Sequence, residues 1–106
     1  MRLLERFGAG LQRARKTRGL TQEDFSEVSS RTYLSSLERG LKAPTISKLE
    51  EIASILGLHP LSLLALAYLP ATQDERQELC ERVTAEISSV AGDALEKKLI
   101  RDIKVK

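Results

Sequence analysis

The chain has 106 residues, a single cysteine and no tryptophan, and 42% of its residues are hydrophobic. This length allows one small domain with an appendage but no large substrate cavity, and the few aromatic residues favour an all-helical fold over a β-sandwich or barrel. One cysteine cannot form an internal disulfide. With neither a signal peptide nor an apolar run long enough to span a bilayer, the sequence predicts a cytoplasmic protein that makes no membrane contact.

The charge distribution predicts a partner, and the catalytic residue types argue against an enzyme. Residues 1–48 contain ten Lys and Arg against five Asp and Glu, a net of +5, whereas residues 49–106 contain seven against ten, a net of −3. The positive half predicts a polyanionic partner, because neutralised phosphates release counterions. No glycine-rich phosphate loop, catalytic carboxylate pair or nucleophile with a base is present, and His59 has no second metal ligand at a suitable spacing. We therefore expect no catalytic residue, metal or cofactor.

An amphipathic helix is predicted over residues 2–18, where Leu4, Phe7 and Leu11 recur at three- and four-residue spacing. Gly8 and Gly10 lie inside it, and each costs roughly 1 kcal/mol relative to Ala. They indicate either a close packing contact or a frayed first turn.

Residues 22–40 predict two short helices joined by a tight turn. Thr21 and Asp24 form the cap of the first helix. Either Ser29 or Ser30 caps the second, which ends at Gly40. The outward face of this second helix is polar and suits an approach to DNA base edges, although a solvated surface helix would have a similar face. Its members are Arg31, Thr32, Ser35, Ser36 and Arg39.

The next loop predicts contacts to DNA phosphates. Pro44 disfavours helix before it, and Thr45 can cap a helix over residues 46–56. Lys42 and Lys48 lie beside the start of that helix, where backbone N–H groups can hold a phosphate. Ordinary solvation is the alternative for both lysines. Arg39, Lys42, Thr45 and Lys48 are assigned to phosphates.

A surplus of apolar surface predicts a dimer. The helix predicted over residues 61–69 has almost no polar face, so it is either a core helix or half core and half subunit interface. A further helix over residues 73–91 has a second apolar stripe, after which Gly92 interrupts. Residues 93–106 could form a helix or a strand. The predicted dimer contacts are Leu63, Leu66, Leu79, Val83, Ile87 and Val90.

These residues together resemble the lambda-repressor/Cro-like helix-turn-helix family, the Xre-type transcriptional regulators. The resemblance extends from Phe7 to about Leu64. It rests on Leu11 and Arg15 in the first helix and on four short motifs, which are Gly19-Leu20-Thr21-Gln22, Ser30-Arg-Thr-Tyr-Leu-Ser, Leu37-Glu38-Arg39-Gly40 and Leu49-Glu-Glu-Ile-Ala-Ser-Ile-Leu-Gly57, with Pro44 between the last two.

The resemblance also implies roles for individual residues. Gln22 would contact a phosphate, Tyr33 would lie against the DNA backbone, and Arg15 would form a structural ion pair with Glu38. The residues implied to face the major groove are Ser30, Arg31, Thr32, Ser35 and Ser36.

One stretch departs from the family pattern. The segment between Ser26 and Ser30 is two residues shorter than usual and lacks the customary glycine. Either the second helix ends early or Val28 occupies the place of two apolar positions. The exposure of residues 29–32 depends on which of these happens.

The sequence thus predicts an all-α, five-helix DNA-binding domain in residues 1–70, with a C-terminal helical extension in residues 71–106. We expect a sequence-specific transcriptional repressor that binds double-stranded DNA as a homodimer. Its third helix, about Ser30 to Arg39, would enter the major groove of an inverted-repeat operator. The alternatives are a protein-interaction module such as an antitoxin-type partner, a small enzyme with an attached DNA-binding element, and a monomer whose extension folds back. The operator and any small-molecule effector stay open.

Overall fold

The computed structural model describes the backbone of residues 2–105 and the side chains of residues 2–92. All regular elements in that part of the chain are helical, as the composition predicts. The chain divides into two compact units, Met1–Tyr68 and Leu69–Lys106. Among the described residues, no helix is both long enough and apolar enough to cross a membrane.

Helix α1 (Leu3–Thr17) forms around a buried stripe that includes Phe7 and Leu11. Gly8 is also buried on this helix. A Cβ atom at Gly8 would lie 2.5 Å from the backbone carbonyl oxygens of both Leu37 and Glu38. Gly8 therefore marks a close packing contact between two backbones, which decides between the two explanations that the sequence left open.

The next element is a 3₁₀ helix (Gln22–Phe25) instead of a full α-helix. As predicted, Asp24 caps its start, because the carboxylate accepts hydrogen bonds from the N–H and the hydroxyl of Thr21 at 2.7 and 3.1 Å. Phe25 is fully buried, and its carbonyl accepts from the N–H of Val28 at 3.0 Å. The shortened segment therefore ends the helix early, after one turn.

Helix α2 (Arg31–Glu38) follows the tight turn. Ser30 is its cap, since its hydroxyl oxygen accepts from the N–H of Tyr33 at 3.1 Å. The chain leaves α2 at Gly40, where φ is +74°. A Cβ there would lie 2.7 Å from the Cα atom of Glu5 in α1. Only glycine combines this backbone conformation with such a close approach.

Helices α3 (Ile46–Leu56) and α4 (Pro60–Ala65) complete the first unit. Thr45 and His59 cap them through a hydroxyl oxygen and a ring nitrogen, respectively. α4 is shorter than the predicted helix over residues 61–69, because the three residues after it form a turn.

The core of this unit lies where the helices meet. α1 packs against α2 and α4, while α3 packs against α4 and the 3₁₀ helix. The two short helices of residues 22–38 are therefore held in place, α2 by α1 and the 3₁₀ helix by α3. The largest fully buried side chains are Leu11, Phe25, Leu34, Leu37, Ile52 and Leu63.

The burial of Leu63 corrects its assignment as a dimer contact. Its side chain has no exposed surface, because α4 turns this residue into the domain core. Leu66 keeps 36% of its surface exposed, and Leu61 and Leu64 are exposed as well. The segment is therefore half core and half surface, and the use of its exposed half as a subunit interface stays a prediction.

The second unit consists of helix α5 (Gln73–Val105), which is interrupted at Gly92 by φ 67° and ψ 168°. Thr72 caps α5 by accepting from the N–H of Glu75 at 3.3 Å. The backbone after Gly92 is helical, so helix is correct for residues 93–105 and strand is not.

The apolar stripe of α5 precedes Gly92. Leu79 is half-buried, whereas Val83, Ile87 and Val90 are exposed. Residues 79, 83, 87 and 90 are spaced at three and four positions, so they share one face of the helix. Residues 73–91 of α5 therefore have an exposed apolar stripe with mainly polar residues on the other faces.

Candidate nucleic-acid interface

The exposed face of α2 is a narrow arc of polar side chains. Arg31, Thr32 and Arg39 are exposed and Ser35 is half-buried. Positions 31, 35 and 39 are spaced by four residues and position 32 is next to them, so the four side chains share one face. This face is contiguous with the exposed cap residue Ser30. We refer to these five residues as the α2 polar face.

Ser36 does not belong to the α2 polar face. It is only 7% exposed, because its position on the helix lies between this face and the buried side of Leu37. The structure thus corrects the assignment of Ser36 as a base-reading residue. The other four residues assigned to base reading lie together at the surface.

A buried ion pair holds α2 against α1, as the family resemblance implies. The guanidinium of Arg15 donates to both carboxylate oxygens of Glu38, at 2.6 and 2.9 Å. The two side chains are 11% and 2% exposed. Arg15 also donates to the carbonyl of Leu20 at 3.0 Å, so the same side chain fixes the turn that follows α1.

The hydrogen bond between the two side chains favours the charged form of Arg15. The hydrogen bond to Glu38 raises the pKa of Arg15 above its already high ordinary value, and this effect outweighs the opposing effect of burial. A bidentate arginine–carboxylate pair has a fixed planar geometry. It therefore fixes both the distance and the orientation of α2 relative to α1.

Gln22 joins this network. Its side-chain amide donates to Glu38 at 3.2 Å, and the residue is half-buried. An amide nitrogen carries two N–H donors, so one contact to Glu38 leaves a second donor. The predicted phosphate contact of Gln22 is compatible with this geometry and stays a prediction.

The loop after α2 provides further cationic and polar groups. The ammonium of Lys42 lies 5.7 Å from the centre of the Tyr33 ring, within the range of a cation–π contact. Lys42 and Thr45 are exposed and Tyr33 is half-buried. Tyr33 lies in α2, and Lys42 and Thr45 lie in the loop that follows it, which is compatible with their predicted contacts to the DNA backbone.

Lys48 has a different environment from Lys42. Its ammonium donates to the backbone carbonyl of Val28 and to the carboxylate of Glu51, the latter at 3.1 Å. The Lys48 side chain is 28% exposed. Sequence reasoning missed this contact, because Val28 and Lys48 are twenty positions apart and a carbonyl leaves no signal in the sequence.

Comparisons with known proteins agree with this arrangement. The sequence profile of the helix-turn-helix family matches residues 11–63, from the middle of α1 into α4. An uncharacterised helix-turn-helix-type transcriptional regulator of Sinorhizobium fredii, y4dJ, is 44% identical over 59 residues, covering 54% of this chain and 77% of that protein.

A similar solved structure is the crystal structure of the clp gene regulator ClgR from Corynebacterium glutamicum. It has a TM-score of 0.60 and 26% identity, and the similarity covers 86% of this chain and 95% of that chain. The chain therefore belongs to the Xre-type, lambda-repressor-like helix-turn-helix family and is a DNA-binding transcriptional regulator, not an enzyme.

Proposed function

We propose that the protein is a repressor that binds an inverted-repeat operator as a homodimer and reads it with α2 in the major groove. The observation that carries the proposal is the α2 polar face. It lies opposite a fully buried apolar side, and the Arg15–Glu38 pair anchors the helix that bears it. A rigid helix with exposed hydrogen-bonding groups fits the width of the major groove.

Base reading is assigned to four residues of the α2 polar face. Arg31 is the first residue of α2, and its planar fork can donate to the O6 and N7 atoms of a guanine. The other three residues have short side chains, which let the helix approach the base edges closely. They are Ser30, Thr32 and Ser35.

Phosphate contacts are assigned to groups on α2 and on both sides of it in the chain. Lys42 and Arg39 supply positive charge, and Thr45, Tyr33 and Gln22 supply neutral hydrogen-bonding groups. Such contacts position a protein on the duplex without reading its sequence. The positive net charge of residues 1–48 supports this assignment, because it favours association with any duplex.

The short length of α2 supports the proposal of a dimer. Eight helical residues span only about 12 Å, enough for a few base pairs. A two-fold dimer doubles the site and places two α2 helices roughly 34 Å apart in successive major grooves. The apolar stripe of α5 and Leu66 provide exposed apolar surface for this association. The proposed contacts are Leu66, Leu79, Val83, Ile87 and Val90.

Repression requires little beyond this binding. A dimer on a site that overlaps a promoter excludes RNA polymerase by occupying the same DNA. Activation would need an additional favourable contact with polymerase. The proposal therefore uses the simpler of the two regulatory actions available to a DNA-bound dimer.

The test is selection of bound fragments from a random pool of duplex DNA. We expect an inverted repeat whose half-sites are centred about one helical turn apart. The affinity should also fall linearly with salt on a logarithmic scale. A module that binds only another protein would enrich no sequence and have no steep salt dependence.

Transcription in vitro then tests repression. The selected site is placed within the polymerase footprint of a promoter, and transcript yield is measured as protein is added. A decrease in yield supports the repressor assignment. An increase would make the protein an activator.

A further inference from the structure

The turn before α2 is the part of residues 22–38 that departs from the family pattern. It is two residues shorter than usual, and it follows a 3₁₀ helix of one turn. Within it the N–H groups of Val28 and Ser29 both donate to the carbonyl of Phe25, at 3.0 and 2.9 Å. The two residues after Val28 are Ser29 and the α2 cap Ser30. The conformation at Val28 therefore sets where α2 begins.

Lys48 reaches this turn from another helix. It belongs to the first turn of α3, and its ammonium donates to the carbonyl of Val28. The carboxylate of Glu51, one turn further along α3, accepts from the same ammonium at 3.1 Å. Glu51 thus holds the charged end of Lys48 beside the turn.

We propose that Lys48 is a positioning residue for sequence recognition, which ties the start of α2 to α3 through the carbonyl of Val28. The proposal rests on the base-reading role proposed for α2. Arg31 lies three residues after Val28, so a shift of this carbonyl moves the side chain that reads the base. Other contacts fix the far end of α2, among them the ion pair of Glu38.

The same contacts argue against a phosphate role for Lys48. Protein acceptors already take two of the three ammonium donors. The Glu51 carboxylate would also repel a phosphate brought to the same group. Lys42 differs from Lys48, because its side chain is exposed and its ammonium lies over the Tyr33 ring.

The two lysines therefore form a matched pair for the test. Lys48→Met and Lys42→Met each remove one positive charge and keep an unbranched side chain of similar length. For each variant of the full chain, affinity is measured for the selected operator and for random duplex over a salt series. Thermal melting gives the folded fraction, by which the affinities are corrected.

For Lys48→Met we expect the preference for operator over random duplex to fall by about tenfold, the size of one hydrogen bond to a charged group. The slope of log affinity against log salt concentration, the salt slope, should not change. For Lys42→Met the preference should stay and the slope should fall by about one. Lys48→Arg retains a charged donor and should restore most of the preference.

A Lys48→Met variant that keeps the operator preference would overturn the proposal, and so would either of two more specific results. One is a Lys48→Met variant that retains the preference and loses about one unit of salt slope, because this is the behaviour of a phosphate contact. The other is a loss of preference that Lys48→Arg does not reduce. If Lys48→Met does not fold, Glu51→Gln takes its place. The Glu51 side chain is half-exposed, and Glu51→Gln removes the negative charge that holds the Lys48 ammonium. The preference for operator over random duplex should fall, as expected for Lys48→Met. An unchanged preference would contradict the proposal.

Arg31→Ala distinguishes a failure of the positioning role of Lys48 from a failure of the proposed function. If Arg31→Ala also leaves the preference intact, α2 does not read bases through Arg31 and the proposed function fails at that point. If Arg31→Ala removes the preference and the Lys48 variants do not, only the positioning role is wrong.

Discussion

Arg31 is the residue on which sequence discrimination should depend most. It is exposed at the start of α2, and its five N–H donors can form a bidentate contact with a guanine. We expect Arg31→Ala to weaken operator binding by about 1–3 kcal/mol and binding to random duplex only slightly. Equilibrium titration of both duplexes measures the two effects.

Arg31→Lys distinguishes bidentate recognition from charge alone. Lysine keeps the charge but lacks the planar fork. The affinity for random duplex should therefore equal that of the wild type, while the operator preference falls. An equal loss on operator and random duplex in Arg31→Ala would show that Arg31 contacts phosphate instead.

The Arg15–Glu38 pair should contribute stability more than DNA contact. Arg15→Ala leaves a nearly buried carboxylate without its bidentate partner, which costs about 3–5 kcal/mol. Urea unfolding measures this loss. Arg13→Ala is a matched control on the same helix, since Arg13 is exposed, and it should change stability by less than about 0.5 kcal/mol.

A double substitution tests whether stability depends on the two charges or only on their being paired. Replacing both Arg15 and Glu38 by Met removes the two buried charges together, and the loss should be smaller than for Arg15→Ala. An Arg15→Ala variant with wild-type unfolding but no DNA binding would instead place Arg15 on the DNA.

Residue types predicted the local chemistry well and the directions of side chains less well. The caps at Thr21 and Thr45 follow from short-range rules that need only a few neighbouring residues. The burial of Ser36 and the contact of Lys48 depend on how α2 and α3 lie in three dimensions. A pattern of spacing along one helix does not contain that information.

At the scale of the elements, the contact between α1 and α2 depends on the missing side chain of Gly8. In an exposed helix, Gly→Ala would stabilise by about 1 kcal/mol. Here the added Cβ would lie 2.5 Å from two backbone carbonyl oxygens, so α1 and α2 must separate. We expect Gly8→Ala to destabilise the domain by several times that gain, as measured by urea unfolding.

Ala9→Gly is the matched control for this prediction. Ala9 is the exposed neighbour of Gly8 on α1, and its replacement should cost only about 1 kcal/mol, the difference in helix propensity. A Gly8→Ala variant at least as stable as the wild type would contradict the close approach of the two helices.

The helices of the first unit could be predicted because each has an apolar stripe and a distinct start or stop signal. The 3₁₀ helix could not be predicted in detail, because the shortened segment allowed two outcomes. Phe25 decides between the two outcomes. Its side chain is buried in the core and its carbonyl accepts a hydrogen bond from the N–H of Val28, so the helix ends at this residue. The predicted helix over residues 61–69 is too long, because the apolar run continues past the last helical residue of α4, Ala65.

For the whole molecule, the main prediction is the homodimer. The apolar stripe of α5 is exposed, with Ile87 at 55% and Val83 at 44%. Two copies related by a two-fold axis can each cover the stripe of the other. We expect the full chain to sediment as a dimer at micromolar concentration, and Ile87→Lys to convert it to a monomer with the same melting temperature for the first unit.

Ser88→Lys is the control for the dimer. Ser88 follows Ile87 directly but is about 100° further around the helix, away from the stripe, and it is exposed as well. Both changes add one positive charge, so general repulsion between subunits would affect them equally, whereas loss of the apolar contact affects only Ile87→Lys. Ile87→Lys should also weaken binding to the full inverted repeat much more than binding to one half-site. A full chain that sediments as a monomer, or a dimer that survives both Ile87→Lys and deletion of residues 72–106, would mean that α5 does not join two subunits.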